Sequence, residues 1–308
     1  MPTVLITGGS GMIGSALSVA LVDRGYGVII LTRNARKEKE NANIRYAEWD
    51  PSKQSIDIKA ITSAHHIIHL AGANVSDGRW TPKRKKEIIN SRVKSGNLIV
   101  KVLQETPNRV ETVISSSATG YYGEDKKDHR AFNETDPPGS DFLADVVQQW
   151  EAAIHPAASL QKRVVIFRTG IVLSNEGGAY AEFKKPLRFG LATVLGKGSQ
   201  IISWIYIKDL VRLYIEAIEN KSLRGIYNAV TPNPVSNREL ILEMAKHQKI
   251  HLPVKVPSFA LQAVLGEMST EVLKSTTTSS ARIEAAGFRF EFPDIKKAVA
   301  DLSGETLT

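Results

Sequence analysis

The chain has 308 residues, 42% hydrophobic and 23% charged, which excludes global disorder and a fibrous architecture and leaves room for one α/β domain with an appended lobe. It has no cysteine, so a disulfide framework, a cysteine nucleophile and any Cys-ligated zinc or iron–sulfur site are excluded. The 40 Lys and Arg against 32 Asp and Glu give a net charge of +8, a balance that suits a phosphate-bearing ligand, and no apolar run approaches the roughly 20 residues of a membrane span.

Met1–Ile6 enters an apolar segment at once with no basic leader, so the expected compartment is the cytoplasm. The first half alternates short β-branched runs with amphipathic stretches of helix length, the pattern of βαβ units on a parallel sheet. Strands are expected at Thr3–Thr7, Gly27–Thr32, Ile44–Glu48, His66–Ala71, Thr112–Ser116 and Arg163–Arg168. Helices are expected at Met12–Arg24, Lys83–Gln104 and Asp141–Ala158. Apolar runs such as Val4-Leu5-Ile6 suit a sheet covered on both faces, so the expected fold class is α/β with a doubly wound parallel sheet. Residues 1–230 are expected to form the nucleotide-binding domain, with parts of 170–205 contributing to a substrate lobe. Residues 236–308 are expected to form a small C-terminal domain. Lys274–Ser280 is low in complexity and reads either as a mobile loop or as a polar helix cap. The run Lys83-Arg84-Lys85-Lys86 wraps round a helix rather than making a stripe, and reads as a solvated face.

Thr7-Gly8-Gly9-Ser10-Gly11-Met12-Ile13-Gly14 follows the first strand and opens the first helix. Glycines at 8, 11 and 14 allow a tight turn, close backbone approach to a pyrophosphate, and close packing of helix on strand. The helix N-terminus then offers unpaired N–H groups to phosphate. Gly8, Gly9, Ser10, Gly11, Met12 and Ile13 are therefore candidate cofactor contacts. The second strand ends in Arg33-Asn34, where an NAD-selective site would carry an acidic residue for the ribose hydroxyls. Arginine there suits a 2′-phosphate, so NADP(H) is expected in preference to NAD(H), with Arg36 and Lys37 adding charge. Trp49-Asp50 ends the third strand and is a candidate adenine contact. Leu70, Ala71 and Gly72 end the fourth, where small residues let backbone and cofactor approach.

Thr7–Gly14, Leu70–Gly72 and Ser115-Ser116-Ser117-Ala118-Thr119 together resemble the extended short-chain dehydrogenase/reductase superfamily of Rossmann proteins. The stretches Arg79-Trp80-Thr81, Ile88–Val93, Ser117–Gly123, Trp150-Glu151, Arg168–Leu173, Trp204–Leu210 and Gly287-Phe288 are similar to an atypical branch described as an epimerase family protein with its own C-terminal domain. The resemblance implies Ser117 as the substrate-orienting serine. It also implies a Tyr-x-x-x-Lys pair on the following helix, but counting back from Trp150-Glu151 gives Leu143 and Val147. Ser117, with Tyr121 or Tyr122 as proton donor, is the candidate catalytic set. The other reading is a catalytically silent NADP(H)-binding regulator or sensor. Arg92 is placed to reach a phosphate or an acidic substrate, or else to form a surface ion pair, and Thr169-Gly170 to pass the nicotinamide. The resemblance gives Asp209 a role in tying lobe to sheet and implies a homodimer through the two long helices. The seven histidines show no metal-ligand spacing, so no metal is expected. A small-molecule substrate is expected, with no nucleic-acid partner and no membrane.

Overall fold

Val4 and Ile6 point to one side of the first strand and Leu5 to the other, and all three are fully buried. A strand that is apolar on both faces needs cover on both. The computed structural model, which describes residues 1–35, 43–126, 130–247 and 252–305, provides that cover. The first half runs β1 (Thr3–Thr7), α1 (Met12–Asp23), β2 (Gly27–Thr32), β3 (Ile44–Asp50), β4 (Ser55–Ile56), α2 (Ile58–Ser63), β5 (His66–His69), α3 (Pro82–Glu105), β6 (Thr112–Ala118), α4 (Phe142–Ile154) and β7 (Arg163–Thr169). There follow β8 (Ile171–Leu173), α5 (Gly178–Leu187), β9 (Leu191–Leu195), β10 (Ile201–Ile202), β11 (Trp204–Tyr206), α6 (Ile207–Glu219) and β12 (Gly225–Ala229). The chain then forms β13 (Val235–Ser236), α7 (Asn237–Lys246), β14 (Leu252–Val256), α8 (Ser258–Leu265), α9 (Met268–Leu273), α10 (Ala281–Ala285) and α11 (Ile295–Leu302).

One sheet has the order β12-β7-β6-β5-β1-β2-β3-β4. All its pairings are parallel except that of β3 with the two-residue β4. The chain works outward from β1 through β2 and β3, then returns to β5 on the other side of β1. The order therefore reverses between β1 and β5, and the crevice beyond their C-terminal ends is where such sheets take ligands. On one face Val4 and Ile6 pack with Leu17 and Leu21 of α1 and Leu213 and Tyr214 of α6. On the other, Leu5 packs with Ile61 of α2, Leu98 and Ile99 of α3 and Ile154 of α4. The fold is thus doubly wound, as the apolar strands require.

A third core joins Leu173, Tyr180, Ala192, Trp204 and Tyr206 to Leu240, Met244, Phe292 and Val299. Pairings β9–β14 and β10–β13 bind these two stretches of chain, and β8–β11 closes the first on itself. Asp209, fully buried at the start of α6, accepts from the backbone N–H of Glu291 at 3.0 Å and of Phe292 at 2.8 Å, and so ties the lobe to the sheet domain.

Several expectations shift for identifiable reasons. The helix begun at Asp141, whose carboxylate caps the Ala144 N–H, turns into a 3₁₀ helix at His155 because Pro156 has no N–H to continue it. The basic run divides: Lys83 and Lys86 are exposed, Arg84 pairs with Glu87 at 2.8 Å, and Lys85 reaches Glu267 at 2.6 Å. The Ser/Thr segment at 274–280 runs from the C-cap of α9 at Lys274 to the N-cap of α10 at Ser280, but capping is only part of its role. It is stitched between two neighbours: Thr276 Oγ1 donates to the Gly123 carbonyl, the Thr277 N–H and hydroxyl donate to Asp125, and the Thr278 N–H donates to Ser203 Oγ.

Candidate functional site

The turn after β1 is built with no room to spare. A Cβ on Gly14 would stand 2.4 Å from the Gly8 carbonyl oxygen, and Gly8 itself has φ +70 and lies against the Leu70–Ala71 backbone. Thr7 Oγ1 closes the joint by accepting the N–H groups of Leu70 and Ala71, each at 3.1 Å. Its own proton is then left for His69 Nδ1 at 2.8 Å, which places the ring proton of His69 on Nε2, towards Ser95 Oγ at 3.3 Å. His69 is wholly buried, and burial pulls its pKa down to about 3, so the ring is neutral. Gly11 caps α1 with no side-chain hydrogen bond, and Ser10 and Gly11 are exposed, so the first-turn N–H groups open outward. Such a cradle, closed to a Cβ at Gly8, Gly9 and Gly14 and presenting backbone donors, fits a dinucleotide pyrophosphate. Met12 lies beneath the Gly177–Gly178 entry to α5, where the second lobe meets the crevice.

Arg33 and Asn34 are exposed beyond β2, and Arg33 has no ion pair among the described residues. Arg36 and Lys37 lie outside the described residues. Trp49 is a correction. Period 2 along β3 turns Ala47 and Trp49 inward, and the indole is buried against Ala60 and Ile61 of α2 rather than offered to an adenine. Asp50 Oδ1 accepts the Ser52 hydroxyl at 2.6 Å and the Ser52 N–H at 2.9 Å, which lowers its pKa. Thr169 turns its hydroxyl back to the Phe167 carbonyl, and Gly170 passes so close to Ser203 that a Cβ would stand 2.4 Å from its carbonyl oxygen. Arg92 is buried, which removes the surface ion pair from its two readings.

The reaction end is assembled from side chains. Ser117 Oγ donates to Glu151 Oε1 at 2.6 Å, and Glu151 is gripped by Arg168 through Nε at 2.8 Å and Nη2 at 2.9 Å. Arg168 Nη1 donates to the Tyr122 hydroxyl at 3.0 Å, and that hydroxyl donates to Asn228 Oδ1 at 2.7 Å. Tyr122 is 3% exposed, stacked on Phe132, and pushed up to about 12 by burial. Its hydroxyl is a strut inside the protein, which corrects its reading as a proton donor. Burial works to lower the Arg168 pKa, but the Glu151 carboxylate outweighs it, and the guanidinium is held charged. Tyr121 differs from its neighbour. It is half-buried, its ring lies 3.3 Å from the guanidinium carbon of Arg168, and its hydroxyl has no protein partner among the described residues. Ser117 can polarise a substrate oxygen only after releasing Glu151.

Leu143 packs in an apolar cluster with Trp80, Ile88, Val146, Phe142 and Met268, and Val147 is buried beside it on the same helix. Glu151, Asn228 and Asp125 carry much of the local architecture. Of these, sequence reasoning touched only Glu151, and only as part of a resemblance. A cavity of about 700 Å³ lined by Lys162, Arg163, Arg224 and Arg282 lies at the other end of β7 and β12, away from the glycine turn. Among the described residues no helix is long and apolar enough to cross a membrane.

Sheet order, glycine turn and second lobe together define a Rossmann-type α/β protein. Residues 4–229 match the model of the NAD dependent epimerase/dehydratase family, and residues 256–302 match that of a domain of unknown function (DUF1731). An epimerase family protein of Staphylococcus saprophyticus is 37% identical over 308 residues, covering 98% of this chain and 99% of its own. The structure of a human epimerase family protein, solved with NADPH, superposes with a TM-score of 0.86 at 27% identity over 99% of this chain and 100% of the other. A nucleoside-diphosphate sugar epimerase of Corynebacterium glutamicum gives a TM-score of 0.75 at 34% identity, covering all of this chain but 59% of the longer one. The chain belongs to the NAD dependent epimerase/dehydratase family.

Proposed function

We propose that this protein binds NADP(H) and reduces, oxidises or epimerises a small hydroxyl- or carbonyl-bearing substrate, with nucleotide sugars the first class to test. The observation that carries the reading is the glycine turn at the β1/β5 switch point, closed to a Cβ at Gly8, Gly9 and Gly14 and presenting the backbone donors of the α1 N-terminus. Family membership supports it, as does a relative solved with NADPH. An exposed arginine at the end of β2, where an acidic side chain would select NAD, supports the phosphorylated cofactor.

Gly8 to Ile13 would hold the pyrophosphate, Arg33 and Asn34 the 2′-phosphate, and Leu70–Gly72 and Thr169–Gly170 would border the rest of the cofactor. When bound, a nicotinamide exchanges a hydride with a substrate carbon. The chain's part is the matching proton at the substrate oxygen, and Tyr121 is the hydroxyl free to move it. Ser117 would steady the same oxygen after turning from Glu151.

A second reading, a silent NADP(H)-binding regulator, is favoured by Leu143 and Val147, which can neither move a proton nor hold a charge. Substrate-dependent loss or gain of NADPH absorbance, with product analysis to catch a redox-neutral epimerisation, across a panel of nucleotide sugars and simple carbonyl compounds separates the two. Turnover that drops about 100-fold in Tyr121→Phe supports the enzyme. Tight NADPH binding with no turnover on any panel member supports the regulator.

A further inference from the structure

Arg92 of α3 is 9% exposed, yet no carboxylate faces it. Nη1 donates to the carbonyls of Ala73 and Ile88, each at 3.0 Å, while Nε is buried with no partner. A buried guanidinium without a counter-charge is costly, and burial, with the like charge of Arg84 adding to it, pulls its pKa down to about 10. Its location is distinctive. The guanidinium carbon lies 3.0 Å from the point a Cβ on Gly72 would occupy, directly against the backbone that leaves β5. Its flat face stacks on Trp150 of α4 at 4.8 Å from the ring centroid, and Trp150 Nε1 is a second buried donor with no partner. Trp150 stands three residues after Val147, so the two share a helix face. Val147 holds the position where the superfamily resemblance implies a lysine.

Strand order says which end of a dinucleotide would arrive here. Arg33 follows β2, on one side of β1, and Gly72 follows β5 on the other. A cofactor laid across the glycine turn with its 2′-phosphate at Arg33 must carry its second half over β5.

We infer that Arg92 and the Trp150 indole N–H form a donor pair for the nicotinamide half of the cofactor, its ribose hydroxyls and adjoining phosphate. Arg92 then supplies from α3 the positive charge that Val147 cannot supply from α4. The inference rests on the cofactor reading above. It makes Arg92 a positioning residue for the cofactor rather than a packing residue of the α3–α4 interface.

The test compares two ligands, NADPH and adenosine 2′,5′-bisphosphate, which keeps the adenosine and 2′-phosphate but lacks the nicotinamide half. Both are titrated against wild type, Arg92→Met, Arg92→Lys, Trp150→Phe and Arg33→Ala. Arg92→Met is expected to weaken NADPH about tenfold or more and leave the bisphosphate within about twofold, as loss of a charge-assisted contact to one half requires. Arg92→Lys should recover part of the loss. Trp150→Phe, which keeps a ring and removes the N–H, should weaken NADPH about threefold and spare the bisphosphate. Arg33→Ala should weaken both ligands together.

Unchanged NADPH binding in Arg92→Met, or equal losses for both ligands, would overturn the assignment and return Arg92 to packing. If Arg92→Met does not fold, the lysine and Trp150→Phe variants decide on the same criterion. Failure of wild type to bind either ligand would instead overturn the cofactor reading itself, a different result from loss of selectivity between the two halves.

Discussion

The two ends of the crevice are built from different materials. At the β1/β5 end the backbone does the work: glycines 8 and 14 pack main chain on main chain, and Thr7 pins two neighbouring N–H groups. At the β6/β7 end a chain of side chains runs from Ser117 through Glu151, Arg168 and Tyr122 to Asn228, each polar group engaged by the next. A backbone site keeps its donors free for a ligand. A satisfied side-chain network spends its donors on itself. The first is therefore preorganised for binding, while the second offers a substrate little beyond Tyr121.

The largest effect expected from this contrast falls on the network. Arg168→Met leaves Glu151 and the Tyr122 hydroxyl buried without their cation and should cost about 3–5 kcal/mol in urea unfolding. NADPH affinity measured well below the melting temperature should change little, because the glycine turn is separate. A large affinity loss in a folded variant would show that the two ends are one unit. Next comes Gly14→Ala, whose Cβ meets Gly8 and Gly9 backbone. It should weaken NADPH about 100-fold at a stability cost of about 1–3 kcal/mol, read by titration and by melting. Near-normal binding would mean that the turn does not hold the pyrophosphate.

The His69 joint predicts a pH dependence. Its folded pKa is depressed to about 3, below the unfolded value of about 6.5, so the unfolded chain binds the extra proton between these values. The stabilisation is present above pH 6.5 and is lost as pH falls towards 3. From pH 7 to pH 5 this residue alone should remove about 2 kcal/mol, a slope that His69→Gln should flatten. An unflattened slope would place the acid sensitivity elsewhere. The smallest effect is at Asp50, whose Oδ1 is already engaged by Ser52. Asp50→Asn should leave NADPH affinity within about twofold, and a larger loss would restore an adenine contact.

Much of the sheet domain could be read from the chain because its signals are local. β-branched runs at period 2, amphipathic stretches and one glycine turn gave β1, β2, β5, β6 and β7 to within a few residues. The second lobe was less legible because its core joins residues 173–206 to residues 240–302 through strands of two to five residues. No local pattern announces such a pairing. Trp49 was readable in principle, since alternation along β3 turns Ala47 and Trp49 inward together. Tyr121 and Tyr122 were not, because adjacent residues on a 3₁₀ turn face different ways and no period chooses between them. The Ser/Thr run at 274–280 looked featureless because its partners, Gly123, Asp125 and Ser203, are distant in sequence.

The central claim is that an arginine beyond β2 and a glycine turn at the switch point make a site for the 2′-phosphorylated cofactor. It is tested most directly by titrating NADPH and NADH against wild type and Arg33→Ala. Wild type should prefer NADPH by about tenfold or more, and the preference should collapse in the variant with NADH affinity unchanged. Equal affinity for both cofactors in wild type, or a preference that survives Arg33→Ala, would contradict the claim.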